Sequence, residues 1–167
     1  VNGSGKHNNW SLSTDDGINL FKPSKKPETD TRFQLVVGCV MKAVKKHALL
    51  LRTAASNPGN DHRLGANEAP PAIISIFLGD QIGGVVDQII EKGYADSSIP
   101  AGMLDFGVKE CPAVDKDPTD RNRTSPFAFT GNRFEFRMVA SSCNVAEPNI
   151  VLNAMMAEAF SDAADAI

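Results

Sequence analysis

The residues best equipped for chemistry are four arginines and one glutamate gathered in a short stretch. Arg121, Arg123, Arg133 and Arg137 fall in the 18 residues from Asp120 to Arg137, and Glu135 lies between the last two. Along Arg133, Phe134, Glu135, Phe136 and Arg137, charged and aromatic residues alternate with the period of a strand. On a strand, Arg133, Glu135 and Arg137 share one face, while Phe134 and Phe136 point into a core. A lone carboxylate flanked by guanidinium groups is costly unless phosphates and metal ions bring their own charges. Arginine suits the bidentate capture of carboxylate and phosphate. Each arginine taken singly is compatible with an ordinary surface position; their density in apolar context is not so easily dismissed.

A second candidate is the opening run Asn2-Gly3-Ser4-Gly5-Lys6-His7. It is not a Walker loop, which needs four residues before its Gly-Lys pair and Ser or Thr after the lysine. Its two glycines still let backbone amides approach an anion closely. Neutral imidazole binds divalent cations, so His7 is a candidate metal ligand, against the plainer reading of a surface or packing histidine. His47 lies in a helical pattern beside Lys45 and Lys46 and reads as a helix-surface histidine helping the dipole. His62 has no evident ligand partner. Glu68, before Ala69-Pro70-Pro71, is either a solvated loop acid or a gate and proton acceptor.

These groups need elements to hold them. The chain has 167 residues, 42% hydrophobic and 22% charged, enough for one domain with a real core. A net charge of −3 gives no general basic surface for nucleic acid, and no apolar run is long enough to span a bilayer. Cys39, Cys111 and Cys143 have neither disulfide-framework nor zinc spacing and read as free thiols in a reducing cytoplasm. Trp10, Leu12 and Ser13 suggest a short strand, and residues 15–30 an exposed loop. Apolar residues from Phe33 to Leu51 recur at helical spacing over residues 31–55, ended by Asn57-Pro58-Gly59. Ala72 to Leu78 reads as a buried strand, and Val85 to Glu91 as a short helix closed by Gly93. Residues 94–119 read as a long loop, 133–140 as a strand, and Pro148 marks the first turn of a helix running toward Ile167.

Three segments, in order, resemble the glutamine synthetase family, with the wording of its type III class. They are NGSGKHNNWSL at the start, HRLGANEAPPAIIS in the middle and DRNRTSPFAFTGNRFEFR later. AEPNIVLNAMMAEAF is similar to the closing helix of that family. The likeness covers the chain except residues 80–119, which resemble a class-specific insertion. It implies that residues 1–167 form the C-terminal part of the catalytic domain. The implied fold class is α+β, an antiparallel sheet with helices packed on its outer face.

The resemblance also implies roles, position by position. Asn2 and Gly3 hold the amino group of the substrate glutamate, and Arg63 grips its α-carboxylate. His7 and Glu135 bind a divalent metal, Mg2+ or Mn2+. Ser11 and Arg133 contact the nucleotide, and Asn9 stands where many relatives have a nucleotide-contacting histidine. Glu68 closes over the site and takes a proton from ammonium. Arg123 meets the transferred phosphate, and Arg137 the reacting γ-carboxyl and phosphate. An arginine usual a few residues beyond Arg123 is replaced by Ala128 or Phe129. The substrates implied are L-glutamate, ammonium and ATP, in a cytoplasmic homo-oligomer without nucleic acid or membrane.

The chemistry is coherent with those residue types. A carboxylate must be activated before ammonia can join it, and phosphorylation by ATP gives an acyl phosphate. Metals and arginines then meet the charge on the moving phosphoryl group. Two alternatives stay open: a γ-glutamyl ligase of the same fold that takes an amine, and a truncated, non-catalytic paralogue that binds a partner. The chain opens at Val1 inside a glycine-rich motif and its last helix has no C-cap, so it reads as a piece of a longer polypeptide that is inactive alone.

Overall fold

The computed structural model of the chain describes residues 5–66, 69–98 and 125–167, with the backbone of 103–104 and 114–115. Its main sheet has four strands: β1 (Gly5–Trp10), β2 (Ile76–Phe77), β5 (Phe127–Phe129) and β6 (Phe134–Ala140), in the order β1-β6-β5-β2. A separate antiparallel pair joins β3 (Met103–Leu104) to β4 (Val114–Asp115). The helices are α1 (Thr31–Thr53), the single turn α2 (Pro58–Asp61), α3 (Gly79–Lys92) and α4 (Ala146–Ala166). The fold is α+β. No helix among the described residues is long and apolar enough to cross a membrane.

The sheet is mixed rather than antiparallel. β1, β6 and β5 run antiparallel, but β2 pairs parallel to β5. Parallel neighbours need a crossover of a dozen or more residues, and α3 with the chain after it supplies one.

Alternation sets the core. Phe134 and Phe136 of β6, Phe127 and Phe129 of β5, and Trp10 of β1 are buried on one face, where α1 and α4 pack. Phe127 and Phe134 stack with centroids 4.8 Å apart, Phe21 meets Phe134 edge-on at 5.1 Å, and Phe33 of α1 meets Phe129 at 5.8 Å. Such pairs add to the free energy of burial, by roughly 0.5–1.5 kcal/mol each. Helix α1 contributes Phe33, Val36, Val37, Val40 and Val44 at helical spacing, and α4 contributes Leu152, Met155, Met156 and Ala159. Asp30 caps α1 by accepting from the Phe33 amide at 3.0 Å. Pro148 sits in the first turn of α4, as the sequence predicts, because that turn has no intrahelical use for its missing N–H.

Some expectations shift. The first strand is Gly5–Trp10; Ser13 makes only an isolated bridge to Asn19. The loop at 15–30 is mostly exposed, but Phe21 is fully buried in the aromatic cluster. Of Ala72 to Leu78, only Ile76 and Phe77 form a strand, both half-buried, and Ile73 is 77% exposed. Among the described residues, only Ile76 and Phe77 of this run pair in the sheet, with Phe127 and Ala128 of β5. Helix α3 starts at Gly79, six residues before Val85, because Gly83-Gly84 interrupt the apolar pattern without ending the helix. It closes on Gly93, whose φ of 83° is the left-handed cap that glycine adopts freely. Cys39 and Cys143 are free thiols; Cys111 lies outside the described residues.

Candidate functional site

The face of the sheet opposite the aromatic core carries the charged residues. Asn9 pairs with Glu135, while the flanking pairs Asn8–Phe136 and Trp10–Phe134 turn inward. From Lys6–Val139 to Asn8–Phe136, β1 moves two residues and β6 moves three. His7 therefore faces both Arg137 and Met138, as at a β-bulge, which re-aims side chains locally. The result is a cluster: His7 Nδ1 lies 3.3 Å from Glu135 Oε2, and Arg137 Nε donates to that same oxygen at 3.1 Å. His7 is exposed, the Glu135 side chain is 20% exposed and Arg137 only 4%. The Arg137 amide also donates to Pro126 O at 2.9 Å.

Side chains on α4 fix this strand from behind. Asn8 Nδ2 donates to Asn149 Oδ1 at 2.8 Å, and Trp10 Nε1 donates to Asn153 Oδ1 at 3.0 Å. Residues two apart on a strand meet residues four apart on a helix, so one helix face locks one strand face. With Asn8 and Trp10 held inward, His7 and Asn9 point to the charged face.

Arg63 reaches the other end of β1. Its Nε donates to Asn60 Oδ1 at 2.9 Å, and its Nη2 donates to Met138 O at 3.0 Å and Val139 O at 3.2 Å. Burial lowers its pKa, opposed by the nearby Cys143. The guanidinium lies against Gly5, where an added Cβ would be 2.8 Å from Nη1. Arg63 is thus tied to the strand that carries Glu135 and Arg137, and it adjoins the start of β1.

The remaining sequence candidates divide. Arg133 precedes β6, is exposed, and bonds its neighbour Asn132 at 3.0 Å, so it does not join the Glu135–Arg137 pair within the described residues. Ser11 and Asn9 are exposed just beyond and within β1. Asn2, Gly3, Glu68 and Arg123 lie outside the described residues. His62 is exposed, with Nδ1 3.3 Å from Pro58 O. His47 is half-buried at a kink in α1, where its φ is −113°, and it meets Glu158 of α4. Of the two residues at the missing arginine position, Ala128 pairs with Glu135 on the charged face, whereas Phe129 is core. Asn60, Asn149 and Asn153 were not anticipated. Neutral amides leave no mark in charge pattern, and the only local signal is the asparagine-rich run around Pro58.

His7 and Glu135 supply an imidazole nitrogen and a carboxylate oxygen, a donor pair that suits a divalent cation. Their 3.3 Å separation is close to the roughly 3 Å edge of an octahedron with bonds of about 2.1 Å. The two residues fit one edge of such a site. No group of three or more His, Cys, Asp or Glu side chains forms a metal cage among the described residues.

No protein-family model matches the chain. Curated proteins do. The chain is 56% identical over 161 residues to a type-3 glutamine synthetase of Dictyostelium discoideum, covering 96% of this chain. It is 51% identical over 164 residues to a glutamine synthetase of Bacteroides fragilis, covering 97% of this chain. A glutamine synthetase of Butyrivibrio fibrisolvens is 51% identical over 135 residues, or 81% of this chain. The chain belongs to the glutamine synthetase family. It spans 22% of the length of the first two relatives and 19% of the third.

Proposed function

We propose that these residues are part of the catalytic domain of an ATP-dependent ligase that joins ammonia to the γ-carboxylate of L-glutamate, giving glutamine, ADP and phosphate. The observation that carries this reading is the convergence of His7, Glu135 and Arg137 on one sheet face, with Arg63 tied to the same strand. The three relatives, all named glutamine synthetases, support it.

In this reading His7 and Glu135 hold Mg2+ or Mn2+. The ion supplies charge neutralisation for phosphate oxygens when bound. Arg137 is anchored through Nε to Glu135 Oε2, so its guanidinium stays beside the reacting γ-carboxyl and phosphoryl oxygens rather than wandering in solvent. Arg123 joins Arg137 in holding the phosphoryl group, across from the metal. Charge that develops on those oxygens meets preset donors, so no reorganisation is needed at the moment of transfer. Arg63 holds the α-carboxylate, and Asn2 and Gly3 the amino group. Ser11, Asn9 and Arg133, exposed at the sheet margin, face the nucleotide. Glu68 takes the proton that ammonium must lose before its nitrogen can attack the acyl carbon, and it keeps water from the acyl phosphate. We read residues 80–119 as a class-specific insertion and the working enzyme as a cytoplasmic homo-oligomer.

The test is glutamine formation from glutamate, ammonium and ATP by a full-length synthetase carrying this segment. Methylamine and putrescine serve as competing nucleophiles. Glutamine as the dominant product is expected. A preference for the amines would replace ammonia as the substrate, and absence of glutamate-dependent ADP release would end the ligase reading.

A further inference from the structure

Arg63 has five N–H donors. Three are committed: Nε–H to Asn60 Oδ1, and both hydrogens of Nη2 to the carbonyls of Met138 and Val139. Among the described residues, that leaves the two hydrogens of Nη1. A carboxylate approaching this arginine meets one nitrogen, not the paired edge that a free guanidinium offers.

Asn60 is what sets this arrangement. It is 0% exposed. Its Nδ2 donates to Ala55 O at 2.6 Å and Met138 O at 2.8 Å, while its Oδ1 accepts from Arg63. Two carbonyls face the amide nitrogen and one N–H faces the oxygen, so only this orientation of the amide satisfies all three partners. The side chain thus ties the end of α1, the turn at α2 and strand β6 to one guanidinium. Gly5 acts from the opposite side. A Cβ there would lie 2.8 Å from Nη1 and 3.0 Å from both Cζ and Nη2. The end of a free arginine would move aside. This one is held by three hydrogen bonds, so a methyl group at residue 5 has to break some of them.

We propose that Asn60 and Gly5 are positioning residues for Arg63, aiming Nη1 alone at the substrate's α-carboxylate. The proposal rests on the reading of Arg63 as the carboxylate-binding arginine. Neither residue touches substrate in this account; both act through the guanidinium.

The experiment compares Asn60→Ala, Gly5→Ala, Arg63→Ala and the Asn60→Ala/Arg63→Ala pair in a full-length synthetase carrying this segment. Steady-state KM values for glutamate and for ATP are measured separately. Each single change at residue 5 or 60 is expected to raise the glutamate KM about tenfold, about 1.4 kcal/mol. The ATP KM should stay within about twofold. Once Arg63 is alanine, adding Asn60→Ala should change the glutamate KM by less than about twofold, because the group it positions is gone. Equal increases in both KM values would overturn the proposal, as would full additivity on the Arg63→Ala background. Gly5→Ala carries the test if Asn60→Ala does not fold, since it opens no cavity. If the wild-type enzyme turns over no glutamate, the functional reading fails. The positioning claim is then judged from crystal structures of wild type and Gly5→Ala. A guanidinium still bonded to Asn60, Met138 and Val139 in Gly5→Ala would refute it.

Discussion

Two regions of this molecule use the same ingredients to different ends. Where α1 meets α4, Lys42 pairs with Asp162 at 2.9 Å and Lys46 with Glu158 at 2.5 Å. All four side chains are at least 40% exposed. On the β1–β6 face, Glu135 takes its partners His7 and Arg137 at longer distances, but Glu135 is 20% exposed and Arg137 4%. A short distance is therefore a poor guide to importance. Helices α1 and α4 also share a buried core through Val40, Val44, Met155 and Ala159, and solvent screens exposed pairs so that they contribute little. The sheet-face cluster, by contrast, is fixed by strand register, by a bulge and by main-chain carbonyls. Glu135 and Arg137 are largely withdrawn from solvent, while His7 stays exposed at the edge of the pair. That combination is what a site requires: charges held in place before any ligand arrives.

The comparison is broken most severely from beneath. Phe134 is fully buried, with ring centroids of Phe127 at 4.8 Å, Phe21 at 5.1 Å and Phe129 at 5.3 Å. It is the residue directly before Glu135. Phe134→Ala should cost about 3–5 kcal/mol, appearing as a large fall in the thermal midpoint or in soluble yield. A drop of less than about 1 kcal/mol would mean that the aromatic layer does not support the charged face. Glu135→Gln sharpens the comparison instead, because it keeps shape and removes charge. Loss of an outer partner of a metal ligand already costs 10–100-fold, so removing the ligand charge should lower glutamine formation by more than about a hundredfold. The thermal midpoint should move little. A variant with near wild-type turnover would remove Glu135 from the metal edge.

These contrasts explain what could be read from sequence. The helices α1 and α4 were visible because each buries apolar residues at a regular period, β6 because phenylalanines and charges alternate along it, and Pro148 and Gly93 obey local rules at helix ends. Glu135 and Arg137 stood out because two charges flanked by phenylalanines must share a face. Strand β1 was placed too late, since its inward residue Asn8 is an amide whose burial depends on Asn149, 141 positions away. The parallel pairing of β2 depends on a crossover, which no pattern within two residues can encode. Asn60 was invisible for the same reason as Asn8: its partner Met138, 78 positions away, is brought to it only by the fold. Arg133 shows how a strand end escapes the pattern. Alternation assigned it to the face of Glu135, but the turn from Thr130 to Arg133 ends before the strand begins, and its side chain turns to Asn132.

The smallest effect tests the other half of the comparison. Glu158 has its pKa lowered from 4.5 by the hydrogen bond from Lys46, then by that with His47. A depressed carboxylate stabilises the fold above its unfolded value and loses that contribution as pH falls through its folded value. The α1–α4 contact should therefore weaken only below about pH 4.5. Asp162, lowered by Lys42, loses its contribution on the same acidic side. Glu158→Gln should remove part of this acid dependence and shift the midpoint at neutral pH only slightly, with the difference shrinking further in about 1 M salt, where screening extends to about 3 Å. Thermal melts of wild type and Glu158→Gln from acid to neutral pH measure this directly. A large gap at neutral pH that survives high salt would show that these exposed pairs hold the helices together after all, and the distinction between the two regions would rest on chemistry alone rather than on burial.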